Sequence, residues 1–393
     1  MKPVPKSPDW MLSALEERRQ QNLMRRTVTL GSPQIPHAKI NTQDYAAFCS
    51  NDYLGLANHP ALIQALHDTA QEYGVGGGSS HLVCGHLTPH QQLEDALADW
   101  LGYERVMLFS TGYMANLGVI SALAGKDRPV IQDKLNHASL IDGALLAQAT
   151  MRRYLHGDVA SAEKLLSRST DSGLLITDGV FSMDGDVAPL SELSNLAIKH
   201  DWMFMVDDAH GLGCLGEDGR GCLSLAGLDA ERLPILIGTF GKAFGTAGAF
   251  VATSHEYADY LTQFARPYIY TTAMSPAMAG ATLASLRIIQ SSEGQERRDR
   301  LSAHIAYFRQ RMQSLPVVLM ASETAIQPIL MGDSKTALQI SERLKSLGVW
   351  CTAIRPPTVP IGSARLRITL SAAHSDADLV LLCDSLEHVL IAK

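Results

Sequence analysis

A lysine among small residues is the first feature of this sequence that could do chemistry. Lys242 lies in the segment Thr239–Gly245, directly after the apolar run Ile235–Gly238, which predicts a short buried strand. Burying a lysine is costly unless its ammonium is paired or has reacted, and the neighbouring glycines let another group approach the backbone. A Schiff base between Lys242 and the aldehyde of pyridoxal phosphate would explain both features. The segment alone leaves a second interpretation open, in which Lys242 lies at a loop edge with its ammonium in water.

A second segment places an acid and a histidine directly after another apolar run. The run Met203–Val206 ends in Asp207, and His210 follows three residues later. Ligands of open α/β sheets bind at the carboxyl ends of the strands, so this order predicts both side chains at a binding crevice. A carboxylate there is the partner that pyridoxal phosphate needs at its pyridine nitrogen. Taken singly, Asp207 could be a helix N-cap and His210 an ordinary loop histidine, but together with Lys242 they favour a cofactor site.

Three further segments place polar residues after predicted strands. Ser110–Asn116 opens a helix, where backbone N–H groups and the helix dipole favour a phosphate, although such turns also occur without a ligand. Asp133–Ser139 contains His137, which could stack on a flat ring or be an ordinary histidine. Asp178–Asp186 brings Ser182 and several acids to the same edge, and the spacing of these acids does not match a calcium-binding EF-hand. The three segments extend the predicted crevice.

Two arginines in the last part of the chain could bind a substrate carboxylate. Arg365 and Arg367 alternate along the predicted strand Ala364–Leu370, so their side chains share one face. A guanidinium binds a carboxylate through two parallel hydrogen bonds, and either arginine could hold an amino acid in this way. The alternative is a pair of surface arginines on an edge strand, and the sequence does not separate the roles of the two.

Short apolar runs alternate with helical patterns along most of the chain, and they predict the strands that position these residues. The predicted strands are Val106–Ser110, Pro129–Asp133, Leu174–Asp178, Met203–Asp207, Ile235–Gly238 and Ala249–Thr253. Their alternation with helices predicts an α/β fold with a mainly parallel sheet and helices on both faces.

The chain divides into three predicted parts. Residues 1–44 form an N-terminal part, with an arginine-rich amphipathic helix near 9–27 and a linker. Residues 45–288 form a large domain, and residues 289–393 form a smaller one. The elements predicted in the smaller domain are a helix around 335–347 and strands at Val349–Ile354 and Ala364–Leu370.

The composition narrows the class of protein. With 393 residues, of which 46% are hydrophobic, the chain is long enough for two domains. A net charge of -7 without a long Lys/Arg run disfavours nucleic-acid binding. No apolar stretch approaches the roughly 20 residues that span a bilayer, and Met1–Lys6 lacks the apolar stretch of a signal peptide. The six cysteines form no CxxC pair, so we expect reduced thiols and a cytoplasmic protein.

Two patterns are similar to binding motifs without meeting their requirements. Gly74–Ser80 lacks the third glycine of a dinucleotide-binding fingerprint and follows a helical pattern instead of a strand, so we expect no NAD. His81, His86 and His90 cluster, but Pro89 interrupts their spacing, and we expect no metal site there.

Together these motifs resemble those of the α-oxoamine synthases, pyridoxal-phosphate enzymes of the fold-type I aminotransferase class. The most specific matches are Ser50–Leu56, Asp207–Gly211 and Thr239–Gly245, and the resemblance runs from the first of these to the strand of Arg367. It implies a large domain built on a mainly parallel sheet, a smaller α+β C-terminal domain, and a homodimer with shared active sites.

The resemblance also implies a role for each residue of the cofactor site. Lys242 would form the Schiff base and then remove the α-proton of the amino acid. Asp207 would pair with the pyridine nitrogen, His210 would contact the ring hydroxyl and His137 would stack on the ring, which makes these four the catalytic residues. The other cofactor-binding residues would be Gly112, Tyr113, Ser182, Thr239 and Thr272, of which the last would reach the cofactor phosphate in a second subunit.

The substrate residues implied by the resemblance form two groups. At the amino-acid end, Asn51 and Arg367 would bind the carboxylate beside His137. At the acyl end, Arg25 and Thr358 would meet the acyl chain. The candidates for anchoring a free carboxylate at the far end of that chain are Arg25, Arg26 and Arg355.

A closer match within the family lies in Phe181–Asp186 and Ala353–Pro360. It implies a decarboxylative condensation of L-alanine with a pimeloyl thioester, a step of biotin synthesis, with CoA or a carrier protein as the thiol. Three alternatives stay open: a sibling enzyme that uses glycine or serine with another acyl-CoA, a nucleotide-dependent oxidoreductase, and a non-enzymatic binding module. The segment Gly85–His90 departs from the family, which favours small and polar residues there, and could reshape the acyl entrance.

Overall fold

The computed structural model describes residues 7–391, so residues 1–6 and 392–393 of the predicted terminal parts, including Met1–Lys6, lie outside the described residues. The helices are α1 (Asp9–Gln20), α2 (Pro60–Tyr73), α3 (Thr88–Leu101), α4 (Gly112–Leu123), α5 (Ala138–Leu146), α6 (Val159–Leu166), α7 (Leu190–His200), α8 (Gly221–Leu225), α9 (His255–Phe264), α10 (Arg266–Ile269), α11 (Pro276–Ile289), α12 (Ser292–Met312), α13 (Ser334–Ser346) and α14 (Asp376–Ile391). Among residues 7–391, no helix is both long and apolar enough to cross a membrane.

The strands follow the same chain order. They are β1 (His37–Ile40), β2 (Gln43–Ala47), β3 (Arg105–Phe109), β4 (Val130–Asp133), β5 (Met151–Tyr154), β6 (Leu174–Asp178), β7 (Met203–Asp207), β8 (Ile235–Thr239), β9 (Ala249–Thr253), β10 (Val318–Leu319), β11 (Ile326–Gly332), β12 (Val349–Trp350), β13 (Thr352–Ile354) and β14 (Ala364–Thr369).

The largest sheet has seven strands in the order β3-β9-β8-β7-β6-β4-β5. The pairs from β8 through β5 are parallel, and β9 runs antiparallel to both β3 and β8. Alternate side chains of the strands pack into two cores, with Leu175 and Leu236 in one and Ile176 and Ile237 in the other. Helices α3 and α7 contribute to the first core and α4 and α9 to the second. The predicted α/β fold with a mainly parallel sheet is therefore confirmed.

All six predicted strands are present, and the sequence prediction missed β5. This edge strand reads Met-Arg-Arg-Tyr, and its two arginines, Arg152 and Arg153, are exposed. Two adjacent charged residues break the apolar alternation that predicts a strand. Pairing with β4 along its whole length holds β5 in the sheet instead.

The carboxyl ends of the parallel strands meet at one edge of the large sheet. β4 ends at Asp133, β6 at Asp178, β7 at Asp207 and β8 at Thr239, and Asp178 pairs with Asp207 in register. The loops that follow these strands therefore open on a common cleft, the place where open α/β sheets bind ligands.

Two smaller sheets complete the fold. One contains β1, β2 and β12, and the other has the order β10-β11-β14-β13. The predicted strand Val349–Ile354 is divided between them, since β12 pairs with β2 and β13 with β14. β14 is an inner strand, and Arg365 and Arg367 on it are 4% and 6% exposed, so the alternative of surface arginines on an edge strand is wrong. The domain boundary between residues 288 and 289 stays a prediction.

The N-terminal helix ends earlier than the sequence pattern predicts. α1 stops at Gln20, and Asn22 follows with a φ of 57°, a left-handed conformation that asparagine tolerates better than most residues. The N–H of Leu23 donates to the carbonyl of Arg18 at 2.8 Å, and the N–H of Asn22 donates to that of Arg19 at 3.1 Å. This pair of hydrogen bonds is typical of a helix C-terminus. The sequence prediction missed this end because the composition typical of a helix continues beyond it.

A close backbone contact fixes the turn of Lys242 against the segment Ser50–Leu56. Gly245 has a φ of 67°, and a Cβ at this position would lie 2.4 Å from the backbone nitrogen of Ala57. No side chain fits in that space, so only glycine lets the two segments touch. The contact sets the spacing between Lys242 and Asn51.

We expect Gly245→Ala to lower the free energy of unfolding by about 3 kcal/mol or more, because a clash adds to the cost of a left-handed alanine. Gly332→Ala is the matched control. Gly332 also has a positive φ, 86°, but nothing lies within 4 Å of a Cβ there, so that change should cost only about 1–2 kcal/mol. Urea unfolding followed by circular dichroism measures both, and equal losses would contradict the close contact.

Candidate active site

The cleft at the carboxyl edge of the large sheet brings most of the predicted cofactor residues together. It encloses about 210 Å³. The predicted residues that line it are Gly112, Tyr113, His137, Ser182, Asp207, His210, Thr239 and Lys242. Asn116 and Ser139 line it as well, although the sequence interpretation gave neither a role.

Lys242 follows β8 in a turn and is partly buried in this cleft. Burial lowers the pKa of Lys242 to about 8, and the negative charges of Asp207 and Asp178 limit the fall. At a pH only slightly above neutral, Lys242 is therefore a neutral amine in a substantial fraction of the protein molecules. A neutral amine is the form that attacks an aldehyde and that accepts a proton.

A chain of hydrogen bonds joins Lys242 to Arg367. Both Nη atoms of Arg367 donate to Oδ1 of Asn51 at 3.2 Å, and the hydroxyl of Tyr53 donates to the same oxygen at 3.1 Å. That hydroxyl has one hydrogen, so it accepts from Nδ1 of His210 at 2.6 Å, which leaves Nε2 to accept from Nζ of Lys242 at 2.9 Å. Burial and the charges of Lys242 and Arg367 lower the pKa of His210 well below its usual value, in agreement with this neutral tautomer.

Asp207 is buried at the end of β7, and both of its oxygens accept hydrogen bonds. Oδ1 accepts from the N–H of Ala209 at 3.0 Å, and Oδ2 accepts from Nδ2 of Asn116 at 2.6 Å. The first bond spans two residues, as in an Asx turn, and α8 begins only at Gly221. Neither donor carries a charge, so a cationic partner in the cleft could add a charged hydrogen bond to this carboxylate.

Asn116 extends this contact to His137. Its Nδ2 also donates to Oγ of Ser139 at 2.8 Å, and that Oγ lies 2.7 Å from Nδ1 of His137. The N–H of Ser139 points to the same Nδ1 at 3.3 Å, and a backbone N–H can only donate. Nδ1 is therefore the acceptor, and the neutral ring has its proton on Nε2. Burial of the ring is the largest cause of the lowered pKa of His137, although the residue as a whole is exposed.

A spacing argument could have found Asn116. It lies four residues after Gly112 on α4, and residues four apart share one face of a helix. Tyr53 lies inside the recognised segment Ser50–Leu56, but only the fold reveals that its hydroxyl meets His210.

The other end of the cleft is formed by the start of α4. Thr111 caps this helix, because its Oγ1 accepts from the N–H of Met114 at 3.1 Å. A Cβ at Gly112 would lie 3.7 Å from the side chain of Thr239, so α4 and β8 approach closely here. The N–H groups of a first helical turn have no partner within the helix, and they attract a phosphate.

The donor set of the cleft fits pyridoxal phosphate part by part. An amine of lowered pKa at Lys242 suits the aldehyde, the carboxylate of Asp207 suits the pyridine nitrogen, and the start of α4 suits the phosphate. The exposed imidazole of His137, which lines the cleft, suits a flat ring. Residues 7–391 contain no group of three or more His, Cys, Asp or Glu side chains placed to hold a metal ion.

The two arginines of β14 have different partners. Nη1 of Arg365 forms a 2.8 Å ion pair with Asp184. Nε of Arg367 donates to the carbonyl of Ser182 at 2.6 Å, and in the described part of the chain no carboxylate lies within ion-pair distance of Arg367. Arg367 therefore retains a positive charge for an incoming carboxylate, which the sequence alone did not decide.

A second cavity, of about 180 Å³, brings together Arg25, Arg355 and Thr358 of the predicted acyl residues, whereas Arg26 is exposed and lies outside its lining. Its lining includes Leu23 and Arg25 from the N-terminal part and Arg355 and Thr358 from the loop after β13. Arg355 is partly buried and donates to the carbonyl of Asn22. Burial and the charge of Arg25 lower the pKa of Arg355, and both arginines line this cavity.

Thr272 lies outside the lining of the Lys242 cleft. It is exposed, it forms a β-bridge with Ser80, and its carbonyl accepts from Oγ of Ser110 at 3.4 Å. An exposed position suits the expected contact with a second subunit, which stays a prediction.

The unusual segment Gly85–His90 ends in a fully buried histidine. Nδ1 of His90 accepts from the N–H of Leu87 at 2.9 Å, and Nε2 donates to the carbonyl of Met274 at 2.8 Å. Both ring nitrogens are used within the protein, so His90 joins the start of α3 to the segment before α11. An effect of this segment on the acyl entrance stays a prediction.

The chain belongs to the aminotransferase class I and II family, whose model matches residues 43–386. This family membership confirms the class of fold that the sequence motifs predicted.

The similar proteins include 8-amino-7-oxononanoate synthase of Marinomonas sp. (strain MWYL1), which is 81% identical over 393 residues, 100% of this chain and 98% of the relative. A crystal structure of 8-amino-7-oxononanoate synthase from Francisella tularensis matches with a TM-score of 0.77 and 30% identity over 88% of this chain and 97% of that chain. A serine palmitoyltransferase variant from S. paucimobilis with a bound PLP–myriocin aldimine matches with a TM-score of 0.90 and 30% identity over 98% of both chains.

We expect Lys242 of the cofactor-free protein to titrate with a midpoint near the pKa of about 8 that burial gives it. Asp207→Asn should move this midpoint lower, because it removes a negative charge that raises the pKa of the ammonium. The rate of acetylation as a function of pH, followed by peptide mass spectrometry, measures both. Exposed Lys335 in the same digest is the internal control, and a Lys242 midpoint near the free-lysine value of about 10.4 would contradict the buried environment.

Proposed function

We propose that this chain condenses L-alanine with a pimeloyl thioester and releases 8-amino-7-oxononanoate, the free thiol and carbon dioxide, a step of biotin synthesis. The observation that supports this most strongly is one cleft that contains the amine of Lys242 and the carboxylate of Asp207. Hydrogen bonds link this cleft to Arg367, which has no ion-pair partner among residues 7–391. The 81% identity to a protein named 8-amino-7-oxononanoate synthase supports the choice of substrates.

Pyridoxal phosphate is the cofactor; when bound, it supplies an aldehyde that reacts with amines and a protonated ring that withdraws electrons from the α-carbon of the amino acid. Lys242, Asp207, His210, His137 and Ser182 would hold its ring. The residues that would hold its phosphate end are Gly112, Tyr113, Thr239 and, from a second subunit, Thr272.

Lys242 is the proposed base of the reaction. With its pKa lowered to about 8, Nζ has a neutral form that removes the α-proton of alanine and later returns a proton to the product. Nε2 of His210 accepts from Nζ at 2.9 Å, which aims the amine within the cleft. Asp207 would keep a proton on the ring nitrogen, because its carboxylate accepts hydrogen bonds only from neutral donors within the described part of the chain.

The arginines near the Lys242 cleft and in the second cavity suggest where each part of the two substrates would bind. Arg367 would bind the carboxylate of alanine, with Asn51 orienting the guanidinium, and His137 would lie beside the amino acid. Arg25, Arg355 and Thr358 would meet the acyl chain in the second cavity. Arg355 is the favoured anchor for the far carboxylate of the pimeloyl group, because it is partly buried and held by Asn22. We further propose a homodimer that works in the cytoplasm.

Thiol release tests the proposed activity directly. Protein loaded with pyridoxal phosphate should release CoA from pimeloyl-CoA with L-alanine and not with glycine or serine. Lys242→Ala should lose nearly all of this release, because no other amine lines the cleft among the described residues. Release with only another amino acid would move the chain to a sibling activity. The absence of release with every amino acid, repeated with pimeloyl carrier protein, would contradict the proposal.

We expect substitution of Arg367 to affect mainly substrate binding and substitution of Arg365 to affect mainly stability. Arg367→Met should raise the KM for L-alanine by about 100-fold, as expected for the loss of a charged pair of hydrogen bonds worth about 3 kcal/mol. Arg365→Met should instead lower the free energy of unfolding by about 2–3 kcal/mol, because it leaves Asp184 without its buried partner. Steady-state kinetics and urea unfolding of both variants measure the contrast, and a larger KM effect at Arg365 would overturn the assignment.

A further inference from the structure

A histidine outside the cleft is held between two carboxylates. Nδ1 of His156 lies 3.0 Å from Oδ1 of Asp133, and Nε2 lies 2.9 Å from Oδ2 of Asp186. A carboxylate oxygen that receives a ring nitrogen at such a distance is an acceptor, so both nitrogens donate. Only the imidazolium cation has two N–H groups, and the geometry therefore assigns a positive charge to His156.

The two carboxylates belong to different loops of the site. Asp133 ends β4, directly before the stretch that contains His137. Its oxygens also accept from the N–H groups of Leu135 and Gly157 at 2.8 and 2.9 Å. Asp186 lies in the loop 179–189 between β6 and α7. His156 therefore joins the His137 loop to the loop that contains Ser182.

The loop 179–189 contacts Arg367 through a short, closed turn. The N–H of Phe181 donates to the carbonyl of Asp186 at 3.0 Å, and the N–H of Gly185 donates to that of Phe181 at 2.8 Å. Ser182 lies inside this turn, and its carbonyl accepts from Nε of Arg367 at 2.6 Å. A displacement of Asp186 thus moves the oxygen that orients the guanidinium.

The turn has a second set of anchors on the side of the smaller sheet. Oγ1 of Thr324 donates to the carbonyl of Gly185 at 2.9 Å, Oγ of Ser322 lies at the same distance from that carbonyl, and Asp184 pairs with Arg365. Beside these contacts, His156 supplies the anchor on the side of the large sheet. The turn therefore has contacts with both sheets.

We propose that protonated His156 is a positioning residue, which clips the loop 179–189 to the end of β4 and so orients Arg367 for the carboxylate of the amino-acid substrate. This inference rests on the proposed role of Arg367 in binding alanine. His156 itself touches neither the substrate nor the cofactor, and it acts through Asp186, the turn and Ser182.

The groups around the ring support a stable cation. Burial lowers the pKa of His156, but the hydrogen bonds and charges of Asp133 and Asp186 outweigh it and raise the pKa to about 10. Two other titratable groups lie near these carboxylates, the buried hydroxyl of Tyr154 from β5 and the carboxyl of Asp178 at the end of β6. Both are close enough to Asp133 for their charges to interact with it. The clip is thus closed across the neutral range of pH.

Amino-acid binding to the cofactor-loaded protein, followed by visible absorbance, tests the clip without the acyl substrate. His156→Gln should raise the Kd for L-alanine by about tenfold and change that for L-alaninamide, which lacks the carboxylate, by less than about twofold. The double variant His156→Gln, Asp186→Asn is the rescue, because its two amides can restore both hydrogen bonds without charge. It should return the alanine Kd to within about threefold of the original.

Two outcomes of the binding assay would overturn the proposal. Equal weakening of alanine and alaninamide would indicate a general structural role, and unchanged alanine binding by folded His156→Gln would remove the clip. If His156→Gln does not fold, His156→Arg, which keeps a cation and several donors, takes its place and should bind alanine within about threefold of the original; weakening of alanine and alaninamide alike would then count against the clip. A protein that binds alanine but releases no thiol would contradict the proposed function and leave the clip intact.

The pH dependence of stability gives a second test. Folding raises the pKa of His156 from 6.5 to about 10, so its contribution is complete below about pH 6.5 and is lost as the pH rises through about 10. The difference in urea midpoint between the original protein and His156→Gln should therefore be largest near about pH 6 and close towards about pH 10. A difference that does not change over this range would overturn the assignment of a cation.

Discussion

The cost of placing charged groups in one partly buried cleft is the constraint on which the rest of this structure depends. The ammonium of Lys242 is disfavoured by burial and favoured by Asp207 and Asp178, and the balance gives a pKa of about 8. These groups come from neighbouring parallel strands, β6 and β7, and from the turn after β8. A mainly parallel sheet is what brings their carboxyl ends to one edge, so the fold and the chemistry have the same cause.

The site is also a junction between sheets. Lys242 follows β8 of the large sheet, Arg367 lies on β14 of the smaller one, and the two are connected through His210, Tyr53 and Asn51. Because the hydroxyl of Tyr53 has one hydrogen and donates it to Asn51, His210 donates from Nδ1 to Tyr53 and accepts at Nε2 from Lys242. The amine that is proposed to move a proton and the cation that is proposed to hold the substrate are therefore set relative to each other before any ligand binds.

Much of the fold and site followed from the sequence, for physical reasons that also explain the failures. Buried parallel strands are continuous apolar runs, so β6, β7 and β8 and the polar residues after them were predictable. The edge strand β5, with Arg152 and Arg153, has no such signal, and the end of α1 depends on the local conformation of Asn22. The different roles of Arg365 and Arg367 were not predictable, because they depend on the position of Asp184. This residue lies 181 residues before Arg365 in the chain, and no local pattern encodes such a contact.

The central claim is that Lys242 is the amine that bonds to pyridoxal phosphate, and its most direct test is chemical. The protein is loaded with the cofactor, reduced with borohydride, digested and examined by peptide mass spectrometry. The account predicts a pyridoxyl group on the peptide that contains Lys242, at close to one per chain, and its loss in Lys242→Ala. Labelling of another lysine, or no stable label on the folded protein, would contradict it.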